Sequence, residues 1–406
     1  MKKDVLILCQ YFYPEYVSSA TLPTEMAEDM VESGMNVDVI CGYPLEYNKQ
    51  DQVPKKEQYK GIKINRIKYV QLDKKKTINR LINYFSFLLS IFLRWPKMLR
   101  YQCIIVYSNP PLLPILPAVL NKLFRKKFIF VSYDIYPDLA LLMNAIQENS
   151  MIHKLMNLTN RLVYSRASKV IALGEEMKAY MLKRELTKDQ DKIEVIPNWY
   201  DRNKVDGAPT AILQQNRNSN FTVLYSGNMG TCQDMDTILE CAKLLNIPEH
   251  AHISFVLTGH GNKVDEIKQR IVDEHLGNVK MFGFLLGEDY VNTLSSANCF
   301  IVSLERGVEG MSVPSKTYSY LAGGRPLLSI MSLDTDISRV ITKYNAGYTF
   351  EQGQAQKMAN KIIYLSQNVE LCSLMGKNAR RVFEENYERK ICTTKYIQCV
   401  NSIVNR

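Results

Sequence analysis

Four stretches of this sequence put glycine, hydroxyl and charged residues where they could do chemistry together. Ser226-Gly227-Asn228-Met229-Gly230-Thr231, Thr258-Gly259-His260-Gly261-Asn262 and Phe282-Gly283-Phe284 each close an apolar run. Glycines at such places let backbone N–H groups approach a phosphate. The fourth stretch, Gly307 to Thr317, brings Glu309 and Val313-Pro314-Ser315-Lys316 to the start of a helical pattern. A small-residue loop, a proline and a serine at the cap expose the positive helix end; Lys316 adds a full charge for a diphosphate, and Glu309 an acceptor for hydroxyls. The plainer alternative is a helix start with a solvated lysine.

In the first half, Asp134-Ile135-Tyr136-Pro137-Asp138 follows an apolar run, so Asp134 would stand at a strand end. It would serve there as a general base, as an acceptor for a substrate hydroxyl, or simply as a cap. The loop Tyr11 to Ser19 (with Tyr13, Glu15, Ser18 and Ser19) follows the first apolar run in the same way. One of the five histidines lies in the first half, which argues against a His-based acid–base mechanism there.

The elements that must position these residues alternate. Apolar runs at 4–9, 37–42, 104–107, 128–131, 169–173 and 192–196 read as strands, with helical patterns at 21–33, 111–124 and 175–184 between some of them. A second series follows at 221–225, 253–258, 279–282, 299–303, 326–330 and 347–350. Strands buried on both faces and alternating with helices imply parallel sheets, hence two Rossmann-like α/β domains. The expected domains are 1–198 and 199–375, with a helical, basic segment 376–406 that could return to the first. Ligands of such sheets bind outside the carboxyl ends of the strands, so the site is expected in a cleft between the domains.

Length (406 residues), 46% hydrophobic content and 23% charged content describe a globular chain of two or three domains. No apolar run reaches the roughly 20 residues that span a bilayer, and the start has no signal-peptide pattern, so a cytoplasmic protein is expected. Nine cysteines without CxxC or clustered histidine read as reduced core thiols rather than zinc ligands. Net charge is +10, and residues 51–127 alone hold 17 basic against 3 acidic residues. Within them Lys74, Lys75, Lys76 and Arg80 precede an apolar stretch containing Phe85, Leu88 and Phe92, and Arg94 and Trp95 follow it. Basic flanks about an aromatic-rich stretch describe a helix lying in an anionic membrane interface, the alternative being a core helix with solvated ends. Nucleic acid fits poorly, since the aromatics are not interleaved with the charges.

Tyr11-Phe12-Tyr13-Pro14-Glu15, Asn109-Pro110-Pro111, Asp134-Ile135-Tyr136-Pro137-Asp138, Val195-Ile196-Pro197-Asn198, Gly227-Asn228-Met229-Gly230 and Val313 to Pro326 occur in the order found in family 4 retaining glycosyltransferases. The chain resembles the branch that builds bacterial capsule, O-antigen and exopolysaccharide. That resemblance implies the GT-B fold, two Rossmann-like domains facing across a cleft, with a nucleotide-sugar in the second domain and the acceptor at the first. No metal or other cofactor is expected. It implies Phe282 and Gly283 against the base and Gly259 and Gly261 lining the donor pocket. Gly227, Gly230, Ser315 and Lys316 would then lie at the diphosphate, Glu309 near the donor sugar or ribose, and Asp134 near the acceptor hydroxyl. Asn228 and Gln233 stand where many members carry an Arg and a Lys, and Ser319 where a glutamate is usual. The resemblance thus shifts the phosphate charge to Lys316 and Arg325.

The expected function is transfer of a sugar, from a UDP-sugar above all, to a polyprenyl-diphosphate-linked saccharide at the inner face of the cell membrane. A nucleotide-sugar 2-epimerase of the same fold would not need residues 74–100 and would use more histidine. A non-catalytic membrane-bound homologue is the third reading.

Overall fold

The computed structural model describes residues 3–44, 53–72, 77–206 and 220–404. Lys74, Lys75 and Lys76 lie outside the described residues. The chain divides into two compact units, one of Met1–Asn198 with Gly310–Val313 and Lys390–Arg406, the other of Trp199–Glu309 with Pro314–Arg389.

In the first unit the apolar runs form β1 (Lys3–Leu8), β2 (Val37–Gly42), β3 (Lys56–Tyr59), β4 (Ile62–Ile67), β5 (Tyr101–Tyr107), β6 (Lys127–Val131), β7 (Lys169–Ala172) and β8 (Ile193–Val195). They make one sheet in the order β3-β4-β2-β1-β5-β6-β7-β8. Every pairing is parallel except β3 with β4; Ile7, for instance, lies between Val39 and Ile105. Val5 to Leu8 are fully buried, as strands covered on both faces require. The hairpin β3–β4 is absent from the sequence reading, because β3 is short, polar and at the sheet edge. Its turn is specified by Lys60-Gly61, both at positive φ (46° and 82°), the pattern of a two-residue hairpin turn. Helix Met151–Arg166 is also an addition, capped by Ser150, whose Oγ accepts the His153 N–H at 3.3 Å. The first helix begins at Ser18, three residues before its expected start.

The second unit has β9 (Phe221–Asn228), β10 (Ile253–His260), β11 (Val279–Phe282), β12 (Cys299–Ser303), β13 (Leu327–Ile330) and β14 (Gly347–Phe350). All are parallel, in the order β11-β10-β9-β12-β13-β14. Counted within the unit this is 3-2-1-4-5-6, the doubly wound order, with its reversal between β9 and β12. Val223, Tyr225, Phe255 and Leu257 pack with Ile238, Leu239, Met358 and Ile362 of two covering helices. Each such large side chain contributes about 1.5–3 kcal/mol by leaving water.

The terminal segment is two helices, Val369–Asn386 and Arg389–Val404. The break falls where Tyr200 N–H donates to the Tyr387 carbonyl and Arg389 N–H to the Tyr200 carbonyl. Beyond it, Lys390 Nζ pairs with Asp29 at 2.8 Å and Thr393 Oγ1 donates to Asp29 at 2.7 Å, inside the first unit. All nine cysteines are free and most are buried; burial pushes the Cys41 thiol up to about 12.

Candidate active site

At the reversal of the second sheet, β9 and β10 run together to their last residues, so that Gly227 pairs with Gly259 and Asn228 with His260. Both glycines have φ near +140°. A Cβ on Gly259 would stand 1.8 Å from the Gly227 carbonyl oxygen, and one on Gly261 would stand 2.2 Å from that of Met229. Gly259 and Gly261 therefore allow backbone to approach backbone. Gly227 differs, because a Cβ there would meet Lys316 Cε at 3.0 Å and Nζ at 3.3 Å. It makes room for the lysine. Gly230 donates its N–H to Gln233 Oε1 at 3.1 Å, which makes Gln233 a brace for the loop.

Lys316 opens the helix Lys316–Gly323, and Tyr320, four residues on, lies on the same face. The Tyr320 hydroxyl accepts the Ser226 N–H at 2.6 Å and donates to the Ser226 carbonyl at 3.0 Å, which pins the helix to β9. Ser226 Oγ is held in turn by Thr258 Oγ1 at 2.7 Å. So fixed, Lys316 Nζ lies 3.6 Å from the centre of the Tyr225 ring and has no hydrogen-bond partner. Burial holds its pKa well below the usual lysine range. An enclosed amine with three unused donors is costly unless something anionic joins it. The neighbouring Ser315 is the N-cap, in helical conformation and without a side-chain cap bond.

Other expected residues are engaged differently. Glu309 accepts from the Gly307 N–H at 2.7 Å, the Ser332 N–H at 3.3 Å and Gln352 Nε2 at 3.2 Å, so its carboxylate organises the loop after β12. Ser319 is buried; its Oγ donates to the Lys316 carbonyl at 2.9 Å and shares a hydrogen bond with the Tyr290 hydroxyl at 2.8 Å. Arg325, expected at the phosphates, is a correction. It donates through Nε to the Ala297 carbonyl at 2.9 Å, between the amino ends of β12 and β13, at the sheet edge opposite Gly227 and Lys316. Its guanidinium anchors the helix exit. Phe282 is 52% exposed at the carboxyl end of β11, and Gly283 beside it faces open space, its carbonyl accepting the Gly259 N–H at 3.2 Å.

In the first unit the reversal lies between β1 and β5, and Asp134 follows β6. Ser108 Oγ accepts the N–H groups of Tyr133 and Asp134 at 3.0 and 3.1 Å. Met311 and Ser312 belong to the same unit; Asp134 forms a bridge with Ser312, and the Met311 carbonyl accepts the Ile135 N–H at 2.9 Å. Burial raises the Asp134 carboxyl above its ordinary value, against a hydrogen bond from Ser312. Asp134 lines a small hollow with Ser108, Tyr136, Thr159, Asn160 and Tyr164. Thr159 Oγ1 there is buried without a partner. Val313 closes the Gly310–Val313 segment. Tyr13 stacks on Tyr59 at 3.7 Å and its carbonyl accepts from the buried Arg66 at 2.9 Å. Glu15 is buried, while Ser18 and Ser19 begin the first helix at the carboxyl end of β1.

The basic apolar stretch is the helix Thr77–Phe92 with a short turn Trp95–Met98. It buries Asn83, Phe87 and Ile91 and exposes Phe85 and Phe92; Leu88 is half-buried. Arg80 stands near its start, and Arg94 Nη1 donates to the Ser90 carbonyl near its end. Among the described residues no helix is long and apolar enough to cross a membrane, and no group of three or more His, Cys, Asp or Glu is placed to hold a metal.

Sequence reasoning missed Tyr225, Tyr320, Ser312 and Thr159. Only Tyr320 carried a signal, its four-residue spacing from Lys316.

Two doubly wound units, the second with its glycines and lysine at the sheet reversal, make the GT-B fold. The chain matches the description "Glycosyltransferase Family 4" over residues 20–204 and "Glycosyl transferases group 1" over residues 212–382, and it belongs to the family 4 glycosyltransferases. It is 25% identical over 345 residues to the "Probable glycosyltransferase WbjE" of Pseudomonas aeruginosa, covering 83% of this chain and 84% of that protein. Among solved structures, the sucrose-phosphate synthase of Thermosynechococcus elongatus is similar with a TM-score of 0.77 at 15% identity, covering 99% of both chains. Anabaena Alr3699/HepE in complex with UDP-glucose is similar with a TM-score of 0.73 at 14% identity, covering 98% of this chain and 99% of that one.

Proposed function

We propose that this glycosyltransferase takes a hexosyl or N-acetylhexosaminyl group from a UDP-sugar and transfers it, with retention, to a polyprenyl-diphosphate-linked saccharide during capsule, exopolysaccharide or O-antigen assembly. The observation that carries the donor half is the partnerless Lys316 amine beside Gly227. A diphosphate oxygen would complete its hydrogen bonds, with the Ser315 hydroxyl beside it at the start of the helix. HepE, a neighbour in fold, binds UDP-glucose, which favours uridine as the base.

In the step itself the bond between the anomeric carbon and the β-phosphate oxygen breaks, its electron pair staying on the phosphate. Lys316 stabilises that developing charge. The acceptor hydroxyl oxygen bonds to the anomeric carbon on the same face, and its proton passes to Asp134, whose raised pKa suits a base. The acceptor would be held by the first unit, whose helix Thr77–Phe92 rests on an anionic bilayer, as a peripheral protein at the cytoplasmic leaflet.

Thermal stability of the full chain against UDP, GDP, ADP and dTDP tests the donor half. A nucleotide at a hundred times its dissociation constant stabilises by about 2.7 kcal/mol. Stabilisation by UDP alone is expected. Stabilisation by another nucleotide alone would replace the uridine assignment, and no shift with any would remove the donor site.

A further inference from the structure

We infer that the first unit lies side-on on an anionic bilayer, its strands running along the membrane plane, held at both edges of its sheet by two separate elements. This rests on the membrane reading above and adds to it a second footing and an orientation. The first element is the helix Thr77–Phe92, about 24 Å long at 1.5 Å per residue. Its exposed face is an apolar stripe of Ile78, Ile82, Phe85, Leu89 and Phe92, spaced three and four residues apart, continued by Leu93. Ile78 is 66% and Leu93 71% exposed.

The opposite face is fastened. Asn83 makes two 2.9 Å hydrogen bonds to the Leu72 backbone, and Ser86 Oγ accepts the Val70 N–H at 3.0 Å. Phe87 packs edge-on against Tyr69, whose hydroxyl accepts from Gln10 just beyond the carboxyl end of β1. This half of the helix therefore stands at the carboxyl edge of the sheet. Ser90 Oγ still donates to the Lys68 carbonyl at 3.0 Å, just past β4, and it is the following turn Trp95–Met98 that reaches the amino edge, where Tyr101 opens β5.

The second footing meets it there. Helix Ile115–Phe124 ends with Leu123 and Phe124 exposed, and Phe124 stacks on Trp95 at 5.4 Å, with the rings 16° apart. Lys126 Nζ donates to the carbonyls of Leu99 and Tyr101, locking the two segments together. The apolar surface thus runs from Ile78 to Phe124, from one edge of the sheet to the other.

Charge selects the occupant. From Thr77 to Lys127 the sequence has no acidic residue, while Lys97, Arg100, Lys122 and Arg125 are exposed about the amino-edge footing. Apolar side chains that enter an acyl layer, on a segment whose charges are all cationic, fit a surface of anionic phospholipid headgroups. A protein partner with a matching acidic rim is the other outcome of the test.

The experiment uses vesicles of mixed anionic and zwitterionic phospholipid, with and without brominated acyl chains. Of the two tryptophans, Trp199 is buried, so Trp95 reports the amino edge. A second protein, Trp95→Phe with Ile78→Trp, reports the carboxyl edge. Bromolipid quenching at both positions, to similar extents, is expected. Phe124→Asp should weaken vesicle binding about tenfold, since it replaces an exposed aromatic ring by a carboxylate that anionic headgroups repel. Quenching at one position only, with vesicle binding intact, would show the unit standing on one edge and overturn the side-on inference alone. No vesicle binding by the unsubstituted protein would overturn the membrane reading beneath it and leave a protein partner for this face.

Discussion

The two units share a doubly wound strand order and use its reversal point in opposite ways. In the second, glycines let the ends of β9 and β10 pack backbone against backbone and make room for a lysine that has no hydrogen-bond partner. In the first, the corresponding loops are crowded with bonded groups, where Ser108 holds two backbone N–H groups, Arg66 holds the Tyr13 carbonyl and Asp134 bridges Ser312. One site encloses an amine with unused donors. The other holds a carboxyl in place and raises its pKa. The same topology thus carries an amine without a hydrogen-bond partner in one unit and a carboxyl of raised pKa in the other, and side chains alone decide which.

The largest effect that would break this comparison is expected at Gly259. Gly259→Val drives carbon into the Gly227 carbonyl, and a loss of about 4 kcal/mol or more in denaturant unfolding is expected. Mild destabilisation would mean that the β9–β10 ends are not tightly packed. Next comes Asp134→Asn, expected to lower kcat by about 10²–10⁴ while UDP affinity stays unchanged. Equal losses in both would make Asp134 a structural residue.

Lys316 has a smaller and more diagnostic signature. Its pKa is depressed in the folded chain, so the unfolded chain binds more protons between the depressed and the ordinary lysine values. Stability should rise with pH across that window. Affinity for UDP should fall over the same range, as the amine loses its charge. Lys316→Met should abolish both trends without lowering the thermal midpoint of the unliganded protein, because it removes a desolvated charge. The smallest effect is expected for Arg325→Ala, which costs some stability at the Ala297 carbonyl and leaves UDP affinity within about twofold, as an arginine away from the phosphates should. A large loss of affinity would return Arg325 to the donor site.

Much of this was legible in the sequence, and for identifiable reasons. Long apolar runs such as Val5–Leu8 and Cys299–Ser303 announce buried parallel strands, and glycines at strand ends announce close backbone approach. β3 was invisible because an edge strand of polar residues has no periodic signature. Lys316 was legible from its place after Pro314-Ser315, but its isolation was not, since that depends on Tyr320 pinning the helix to Ser226. Arg325 misled because its sequence neighbourhood is shared with Lys316, while one short helix carries it to the opposite edge of the sheet.

Calorimetric titration of the full chain and of Lys316→Ala with UDP and with uridine tests the central claim most directly. If Lys316 is the counter-charge of the diphosphate, the unsubstituted protein prefers UDP strongly. The substitution should then remove about tenfold or more of that preference, leaving uridine affinity unchanged, as the loss of a charged hydrogen bond of roughly 1.5–3 kcal/mol requires. An undiminished preference for UDP over uridine in Lys316→Ala would contradict it.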